Sequence, residues 1–223
     1  MSTTKTVRAY KYLKRGKPAD VLQLDDRHQV PKPGDDELLI KVKAVGLNPV
    51  DWKIMNYLPS FIAKHPAIAG CDYSGTVLES SSADFAAGDE VFGIVHSTLK
   101  VSKGLGSLAE EIVAPTPSCA KRPEHVEAVP AAGLPLVGLT AIVLSREVEW
   151  ALKKKEDAPK VLVSGGSSSV GLQLVPVLKH KGCFVAATCS AAKADMVKGR
   201  GADVTFDCEI FNDVGSFRFA CHR

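Results

Sequence analysis

Short runs of alternating apolar and polar residues dominate the first 130 positions of the chain. Such runs predict β-strands, because successive side chains of a strand point to opposite faces of its sheet. The clearest run covers residues 37–45, after a turn rich in proline and glycine at residues 31–35. The other predicted strands cover residues 7–13, 21–24, 75–79, 90–95 and 108–113. Gly, Pro and Asp clusters separate them, which predicts a compact, barrel-like β domain.

Helical spacing appears near residue 130 and continues to about residue 155. The apolar residues that can share a helix face there are Ile142, Val143, Val148, Ala151 and Leu152. Lys153, Lys154 and Lys155 follow them, where positive charge complements the helix dipole. We therefore interpret these lysines as a solvated helix end, and residues 156–159 as a connector.

Strand-like and helical segments alternate in the rest of the chain. Strands are predicted at residues 161–164, 184–188 and 204–207, with helices at about 169–181 and 191–198. This order predicts a βαβαβ half of a doubly wound parallel sheet. Pro176 lies beyond the first turn of its helix, where we expect it to kink the helix or to cost about 3 kcal/mol.

A glycine- and serine-rich loop joins the first strand of this half to its first helix. Its residues are Gly165, Gly166, Ser167, Ser168, Ser169, Val170 and Gly171. The spacing Gly-x-x-Ser-x-x-Gly is a degenerate relative of the dinucleotide fingerprint, with serine where the middle glycine usually stands. By itself, such a loop is slightly more typical of an ordinary tight turn. Between a strand and a helix of a βαβαβ unit, it favours a site that holds a dinucleotide phosphate against a helix N-terminus.

The end of the second parallel strand indicates which dinucleotide. NAD sites usually carry Asp or Glu there, to hold the ribose 2′-hydroxyl. This strand instead ends in Thr188, Cys189 and Ser190, with Lys193 soon after. Hydroxyl groups and a cation suit a 2′-phosphate, so we predict NADP, with Ser190 and Lys193 as binding residues. The alternative is that Lys193 is an ordinary exposed lysine.

The composition of the chain mainly excludes classes of protein and of partner. The chain has 223 residues, of which 45% are hydrophobic and 24% charged, and this composition suits one large or two small globular domains. The net charge of +3 is scattered, which argues against nucleic acid or an anionic membrane as a partner. The apolar stretch at residues 131–144 is interrupted and too short to span a bilayer. With no apolar signal segment at the start, we expect a cytoplasmic protein.

Cysteine and histidine spacing predicts no metal site. The cysteines are Cys71, Cys119, Cys183, Cys189, Cys208 and Cys221, without any CxxC pair. This distribution favours reduced, individually buried thiols. The histidines are His28, His65, His96, His125, His180 and His222, all isolated, and we expect them on the surface or in loops.

Several segments in their order and spacing resemble one family, the zinc-independent medium-chain dehydrogenases/reductases. The segments are Val45–Lys53, Gly70–Val77, Gly88–Gly93, Gly106–Glu111, Leu134–Ala141 and the Gly165–Gly171 loop. The resemblance covers about residues 5–208, to quinone oxidoreductases and trans-acting enoyl reductases, and the loop is most similar to fungal enoyl-reductase-like members. It implies a GroES-like β-barrel domain at residues 1–130 for substrate and catalysis. It also implies a partial NADP-binding Rossmann domain at residues 131–208, with the active site in the cleft between the two domains.

The same resemblance assigns roles to single residues. Zinc-dependent members place Cys at the position of Asn48 and Gly-His-Glu at residues 70–72, so no zinc is expected. Asn48 and Thr140 resemble positions that contact the nicotinamide end of the cofactor. Lys53, Thr140 and Tyr57 are the catalytic candidates, for a developing enolate and a proton. The alternative for Lys53 is a solvent-facing lysine.

Two further residues near the proposed site have other assignments. We expect Asp51 to fix the loop that carries Asn48 and Lys53. For Tyr73, a hydrogen-bonded core position is the favoured interpretation over proton donation.

The function implied is NADPH-dependent reduction of a small molecule that is an enone, an enoyl thioester or a quinone. Members of the family continue for over a hundred residues more, so the chain is expected to be truncated. Residues 209–223 match nothing expected there, and Cys208 replaces a frequent tyrosine. The alternatives are therefore a non-catalytic NADP-binding protein and an inactive fragment. The substrate is left open, as is the choice between a monomer and a homodimer.

Overall fold

A computed structural model of the chain describes residues 5–96, 102–148 and 159–209. The chain divides into two compact units, one up to Leu136 and one from Val137 onward. This division lies six residues after the predicted domain boundary at residue 130. Each unit has a hydrophobic core of its own.

Antiparallel strands make up most of the first unit. They are β1 (Thr6–Tyr12), β2 (Leu22–Gln29), β3 (Glu37–Gly46), β4 (Ala67–Ile68), β5 (Asp72–Ser80), β6 (Glu90–Ile94), β7 (Glu111–Pro115) and β8 (Cys119–Lys121). One sheet has the order β2-β1-β4, and the other has the order β7-β3-β5-β6-β8. The predicted β domain is thus confirmed in this part of the chain.

Alternation along β3 and β5 places the core of this unit. Leu38 and Ile40 of β3 and Tyr73 and Val77 of β5 are fully or almost fully buried in one cluster. Tyr73 packs there with its hydroxyl 2.9 Å from Cys119 Sγ. It is therefore a hydrogen-bonded core tyrosine, as expected.

Three helices of the first unit are short. They are α1 (Pro18–Val21), α2 (Pro49–Tyr57) and α3 (Ala128–Ala132), with a 3₁₀ turn at Thr116–Ser118. The segment that carries Asn48 and Lys53 was predicted to be a loop, and this was wrong, because Lys53 lies within helix α2. Pro49 at the first helical position and Asp51 in the first turn are signals that start α2. The apolar residues of this short segment show no clear helical period, so their pattern did not predict a helix that reaches Tyr57.

Glu90 in β6 is the centre of a polar network on the first unit. Its carboxylate accepts hydrogen bonds from Lys43 Nζ at 2.6 Å, Thr76 Oγ1 at 2.7 Å and Arg122 Nη2 at 2.5 Å. Burial by itself would raise its pKa, but the three donors together outweigh burial and lower the pKa to about 2. The folded state therefore holds the ionised carboxylate more strongly than the unfolded chain does.

This network predicts that stability depends on pH. A carboxyl group with a lowered folded-state pKa contributes fully above its unfolded pKa, and the contribution disappears as the pH falls through about 2. We expect Glu90→Gln to lower the free energy of unfolding by about 2 kcal/mol at neutral pH and by steadily less below pH 4.5. Urea unfolding of both proteins over that pH range measures the difference. A difference that stays constant on acidification would contradict the prediction.

The second unit contains a parallel sheet with helices between its strands. The strands are β9 (Lys160–Val163), β10 (Phe184–Cys189) and β11 (Val204–Asp207), in the order β11-β10-β9. The helices are α4 (Pro135–Arg146), whose first two residues belong to the first unit, α5 (Ser169–His180) and α6 (Ala194–Gly199), with a 3₁₀ turn at Ala191–Lys193. The predicted βαβαβ half of a doubly wound sheet is confirmed.

Two helix predictions changed in detail. The predicted long helix from residue 131 is two helices, α3 and α4, separated at Gly133 and Leu134. Its expected continuation through Ala151, Leu152 and the lysines at 153–155 lies outside the described residues, as do the connector residues 156–158 and residues 210–223 of the tail. Helix α5 continues through Pro176 from Ser169 to His180.

The thiols of the described cysteines differ in burial. The thiols of Cys71, Cys183 and Cys189 are buried and form no disulfide with any described residue, whereas Cys119 is half-buried and Cys208 is exposed, so full burial was wrongly predicted for these two. Cys221 lies outside the described residues. No helix among the described residues is long and apolar enough to cross a membrane.

Candidate functional site

The predicted phosphate-binding loop lies at the carboxyl end of β9, between that strand and α5. Thr188, at the end of the neighbouring strand β10, ties the loop down with two hydrogen bonds. The Gly165 N–H donates to Thr188 Oγ1 at 2.9 Å, and the Gly166 N–H donates to the Thr188 carbonyl at 2.7 Å. The loop therefore has a fixed position relative to the sheet.

Three glycines meet three separate demands of this loop. Gly165 has φ of +75°, which L side chains rarely adopt. A Cβ on Gly166 would lie 2.7 Å from Ala187 Cβ in β10. A Cβ on Gly171 would lie 2.3 Å from the Gly165 carbonyl oxygen. The loop can therefore press against both the strand and its own helix only with glycine at these positions.

Ser168 explains the departure from the usual glycine pattern. It is the N-cap of α5, and its hydroxyl accepts a hydrogen bond from the Gly171 N–H at 3.1 Å. Among the described residues, none accepts a hydrogen bond from the main-chain N–H of Ser169 or Val170. These two donors at the start of a twelve-residue helix form an arrangement that suits an anion. Ser167 precedes the N-cap, and Ser169 is the first residue of the helix.

The end of β10 carries hydroxyl and ammonium groups and no acid. Ser190 follows the strand and is half-buried, and Lys193 ends the 3₁₀ turn with an exposed side chain. The nearest carboxylate along the chain is Asp195, in the first turn of α6. Ser190 and Lys193, the two residues predicted to bind a 2′-phosphate, therefore lie on one short segment after β10.

In the first unit, Asn48 begins α2 and is held at two points. Its N–H donates to Asp51 Oδ2 at 2.8 Å, and its side-chain Nδ2 donates to Asp72 Oδ2 at 2.9 Å. Asp51 is buried, and its carboxylate accepts from the Asn48 N–H at the start of this helix, where a loop was predicted. Asp72 also accepts a hydrogen bond from the Leu136 N–H, at 3.1 Å from Oδ2.

Burial dominates the electrostatics of Asp72. The side chain is 1% exposed, and desolvation raises its pKa to about 6 despite the hydrogen bonds from Asn48 and Leu136; the charge of Asp51 adds to the rise. A buried carboxyl group with such a pKa changes its charge near neutral pH. Asp72 was not among the predicted site residues, although an acidic residue within the apolar pattern of β5 was a signal.

The catalytic candidates Lys53 and Tyr57 lie one turn apart on α2. Both side chains are exposed, Tyr57 by 63%. Trp52 lies beside both, with its ring centroid 5.9 Å from Lys53 Nζ and 5.7 Å from the Tyr57 ring. The structure thus brings Asn48, Lys53 and Tyr57 together on one helix of the first unit. Thr140 is half-buried on α4 in the second unit, one turn after Leu136.

Comparison with known proteins extends this description. Residues 34–124 match the family model of the alcohol dehydrogenase GroES-like domain. A chloroplastic quinone-oxidoreductase homolog from Spinacia oleracea is 38% identical over 184 residues, which cover 80% of this chain and 54% of the relative. A trans-enoyl reductase from Aspergillus clavatus is 34% identical over 197 residues, which cover 83% of this chain and 53% of the relative.

A solved structure gives the same result. A mycobacterial protein complexed with NADPH has a TM-score of 0.70 at 30% identity, over 91% of this chain and 58% of that one. The chain is similar in sequence and in fold to medium-chain dehydrogenases/reductases. It spans about half the length of the curated relatives it matches. The resemblance stated from the motifs is confirmed, and the parallel sheet of the second unit is consistent with an incomplete Rossmann sheet.

Like Asp72, the Thr188 hydroxyl has a structural role that the sequence did not predict. The sequence showed only that Thr188 lies at the end of a strand. Replacing it with the nearly isosteric valine leaves the Gly165 N–H without its acceptor. We expect Thr188→Val to cost about 1–2 kcal/mol and to speed amide hydrogen exchange at Gly165. Thr188→Ser keeps the hydroxyl and serves as the matched control. Equal exchange rates in both variants would show that the hydroxyl does not hold the loop.

Proposed function

We propose that this protein is an NADPH-dependent, zinc-free oxidoreductase that reduces an activated C=C bond, in an enone or enoyl thioester, or a quinone. The observation that carries the proposal is the Gly165–Gly171 loop. It ends in N–H donors at the start of α5 that no described residue accepts from, beside a strand end that carries hydroxyl and ammonium groups and no acid of its own. The named relatives, a quinone-oxidoreductase homolog and a trans-enoyl reductase, support both substrate classes.

The loop residues fit a dinucleotide. The N–H groups of Ser169 and Val170 and the serine hydroxyls would hold the pyrophosphate at the positive end of the helix dipole. Gly165, Gly166 and Gly171 leave no side chain between the main chain of the loop and its neighbours. Ser190 and Lys193 would hold the 2′-phosphate, which distinguishes NADP from NAD.

The donor set around Asn48 supports a reaction without zinc. Three N, S or O protein ligands are usual for a catalytic zinc. Asn48 Nδ2 instead donates a hydrogen bond to Asp72 Oδ2, so these two side chains pair with each other rather than act as two metal ligands. In the described part of the chain, no group of three His, Cys, Asp or Glu side chains could hold a metal ion.

The chain's own residues then have distinct tasks. Bound NADPH would supply the hydride. The Lys53 ammonium would offset negative charge that develops on the substrate oxygen, and the Thr140 hydroxyl would donate a hydrogen bond to that oxygen or to the cofactor. The Tyr57 phenol, exposed on the same helix face as Lys53, would donate a proton from its hydroxyl. Asn48 would contact the nicotinamide end.

Cofactor choice is tested by fluorescence titration of the protein with NADPH and with NADH. We expect tighter binding of NADPH, and we expect Lys193→Ala to weaken NADPH binding about tenfold while NADH binding changes little. Lys32→Ala, at an exposed turn lysine, is the matched control. Equal affinities for both cofactors, or an equal effect of Lys193→Ala on both, would overturn the assignment to NADP.

Turnover of enones, enoyl thioesters and quinones with NADPH tests the reaction. We expect Lys53→Ala and Thr140→Val each to lower kcat/KM by roughly 10- to 1000-fold, with NADPH binding by Lys53→Ala retained. Turnover that neither substitution slows would refute the site assignment. NADPH binding without turnover of any of these substrates would instead support a non-catalytic NADP-binding protein.

A further inference from the structure

We propose that Cys189 and Cys208 are a redox-responsive pair: a peroxide converts the two thiols into a disulfide, and this disulfide weakens NADPH binding at the neighbouring Ser190. Cys189 is the last residue of β10, and Cys208 directly follows the last residue of β11. Both lie in the second unit. The effect on NADPH rests on the proposed function, whereas the formation of the disulfide does not.

The main chain holds the two cysteines side by side. The Cys208 N–H donates to the Cys189 carbonyl at 2.9 Å, and in the parallel ladder Cys189 pairs with Asp207. Neighbouring strands lie about 4.8 Å apart, and a disulfide joins Cα atoms that are about 4.4–6.8 Å apart. The main chains of the two cysteines are therefore already at a separation that a disulfide can span.

A turn directly after β11 changes the direction of the chain at Cys208. Asp207 Oδ1 accepts a hydrogen bond from the Glu209 N–H at 3.0 Å, so Cys208 is the central residue of an Asx turn. In a continuing strand, the side chain of Cys208 would point to the face opposite that of Asp207 and Cys189. Because the chain leaves the strand here, the Cys208 side chain is not restricted to that opposite face.

Their surroundings give the two thiols different chemical roles. Cys208 is exposed, so its sulfur is open to a peroxide from solvent. Cys189 is 3% exposed and packs in the core of the second unit with Ala187 and Val197. Burial raises the pKa of the Cys189 thiol, and nearby Cys208 and Asp207 add to the rise. Cys208 is therefore the thiol that reacts first, and Cys189 is the thiol that completes the disulfide.

The oxidation takes place in two steps. The Cys208 thiolate attacks one oxygen of hydrogen peroxide, the O–O bond breaks, and a sulfenic acid forms while the other oxygen takes up a proton and leaves as water. The Cys189 thiolate then attacks the Cys208 sulfur, the S–O bond breaks, and that oxygen leaves as a second water. The two thiols together lose two electrons and two protons, and the peroxide is reduced to two molecules of water.

The disulfide would form next to the residues proposed to hold the 2′-phosphate. Ser190 directly follows Cys189, and Lys193 ends the 3₁₀ turn that comes next. Closing the bond draws the turn at Cys208 toward the end of β10 and fixes the chain directly before Ser190. We therefore expect the oxidised protein to bind NADPH more weakly than the reduced protein does.

Peptide mass mapping after treatment with hydrogen peroxide tests the pair without any need for activity. In the unaltered protein we expect a crosslink between Cys189 and Cys208 that dithiothreitol reverses. Cys183→Ala, which removes another buried thiol of the same unit, is the matched control and should form the same crosslink. A crosslink of Cys208 to a different cysteine, or no crosslink, would overturn the proposal.

Dimedone, a reagent that traps sulfenic acids, shows which thiol completes the bond. We expect Cys189→Ala to accumulate the adduct on Cys208, because no second thiol attacks its sulfenic acid, whereas the unaltered protein should accumulate little. Equal amounts of adduct in both proteins would contradict the role of Cys189. If Cys189→Ala does not fold, the peptide map of the unaltered protein still decides whether the pair forms.

Titration of the reduced and the peroxide-treated protein with NADPH tests the effect on the cofactor site. We expect oxidation to weaken NADPH binding by about fivefold or more, and dithiothreitol to restore it. Cys208→Ala should bind NADPH equally before and after peroxide. Equal affinities of the unaltered protein in both states would overturn the effect on NADPH. If the reduced protein binds no NADPH, the proposed function fails, whereas the crosslink still tests the cysteine pair.

Discussion

Gly171→Ala is expected to reduce NADPH affinity more than tenfold and to lower the stability of the second unit by about 2–3 kcal/mol. The new methyl group would lie 2.3 Å from the Gly165 carbonyl oxygen and 2.8 Å from Gly166 main-chain atoms. Because these neighbours are main chain, no flexible side chain can move aside. Either α5 shifts away from the loop or the loop itself deforms, and both changes move the N–H groups that would hold the pyrophosphate.

The matched control for this prediction is Gly199→Ala. Gly199 is the last residue of α6 in the same unit, and no atom lies within 4 Å of the position of its Cβ. Alanine is also the better helix former, so stability should stay equal or rise slightly. Urea unfolding followed by circular dichroism and titration with NADPH measure both variants. If Gly171→Ala unfolds and binds like Gly199→Ala, the close approach of helix and loop has no energetic role.

Ile40→Ala is expected to destabilise the first unit by about 3–4 kcal/mol. Ile40 is fully buried in β3, where it pairs with Ile112 of β7 on one side and Val77 of β5 on the other. Loss of the side chain removes buried apolar surface and leaves a cavity that two paired strands cannot close. The expected loss is a large part of the stability of an ordinary domain.

A conservative substitution at the same position checks the cause. Ile40→Val removes a single methylene group and should cost about 1 kcal/mol. Urea unfolding gives both values, and the cooperativity of the transition shows whether the first unit still unfolds as one body. A cost below 1 kcal/mol for Ile40→Ala would mean that β3 is not at the centre of the core.

Much of the architecture was predictable because it depends on local signals. Alternation over residues 37–45 predicted β3, and the strand β11 has the predicted bounds, residues 204–207. Glycine spacing at residues 165–171 predicted the turn into α5. Each signal comes from the chirality, periodicity or backbone freedom of neighbouring residues, so no tertiary contact was needed to recognise it.

Short elements were less predictable. β4 has two residues and β8 has three, too few for an alternating pattern, and both depend on a partner strand. The break between α3 and α4 at Gly133 and Leu134 lay within a stretch whose helical periodicity appeared continuous. In these places neighbouring strands and helices decide where an element begins and ends.

The sequence by itself determined a β domain, a βαβαβ unit and a glycine-dependent loop between strand and helix. Only the tertiary structure decided how particular side chains are used. Asp72 meets Asn48 and Leu136, which lie 24 and 64 positions away in the chain, and Thr188 meets Gly165 from 23 positions away. The pKa of Asp72 follows from burial among these distant partners. Such contacts depend on how strands and helices pack, and the local pattern of residues carries no record of them.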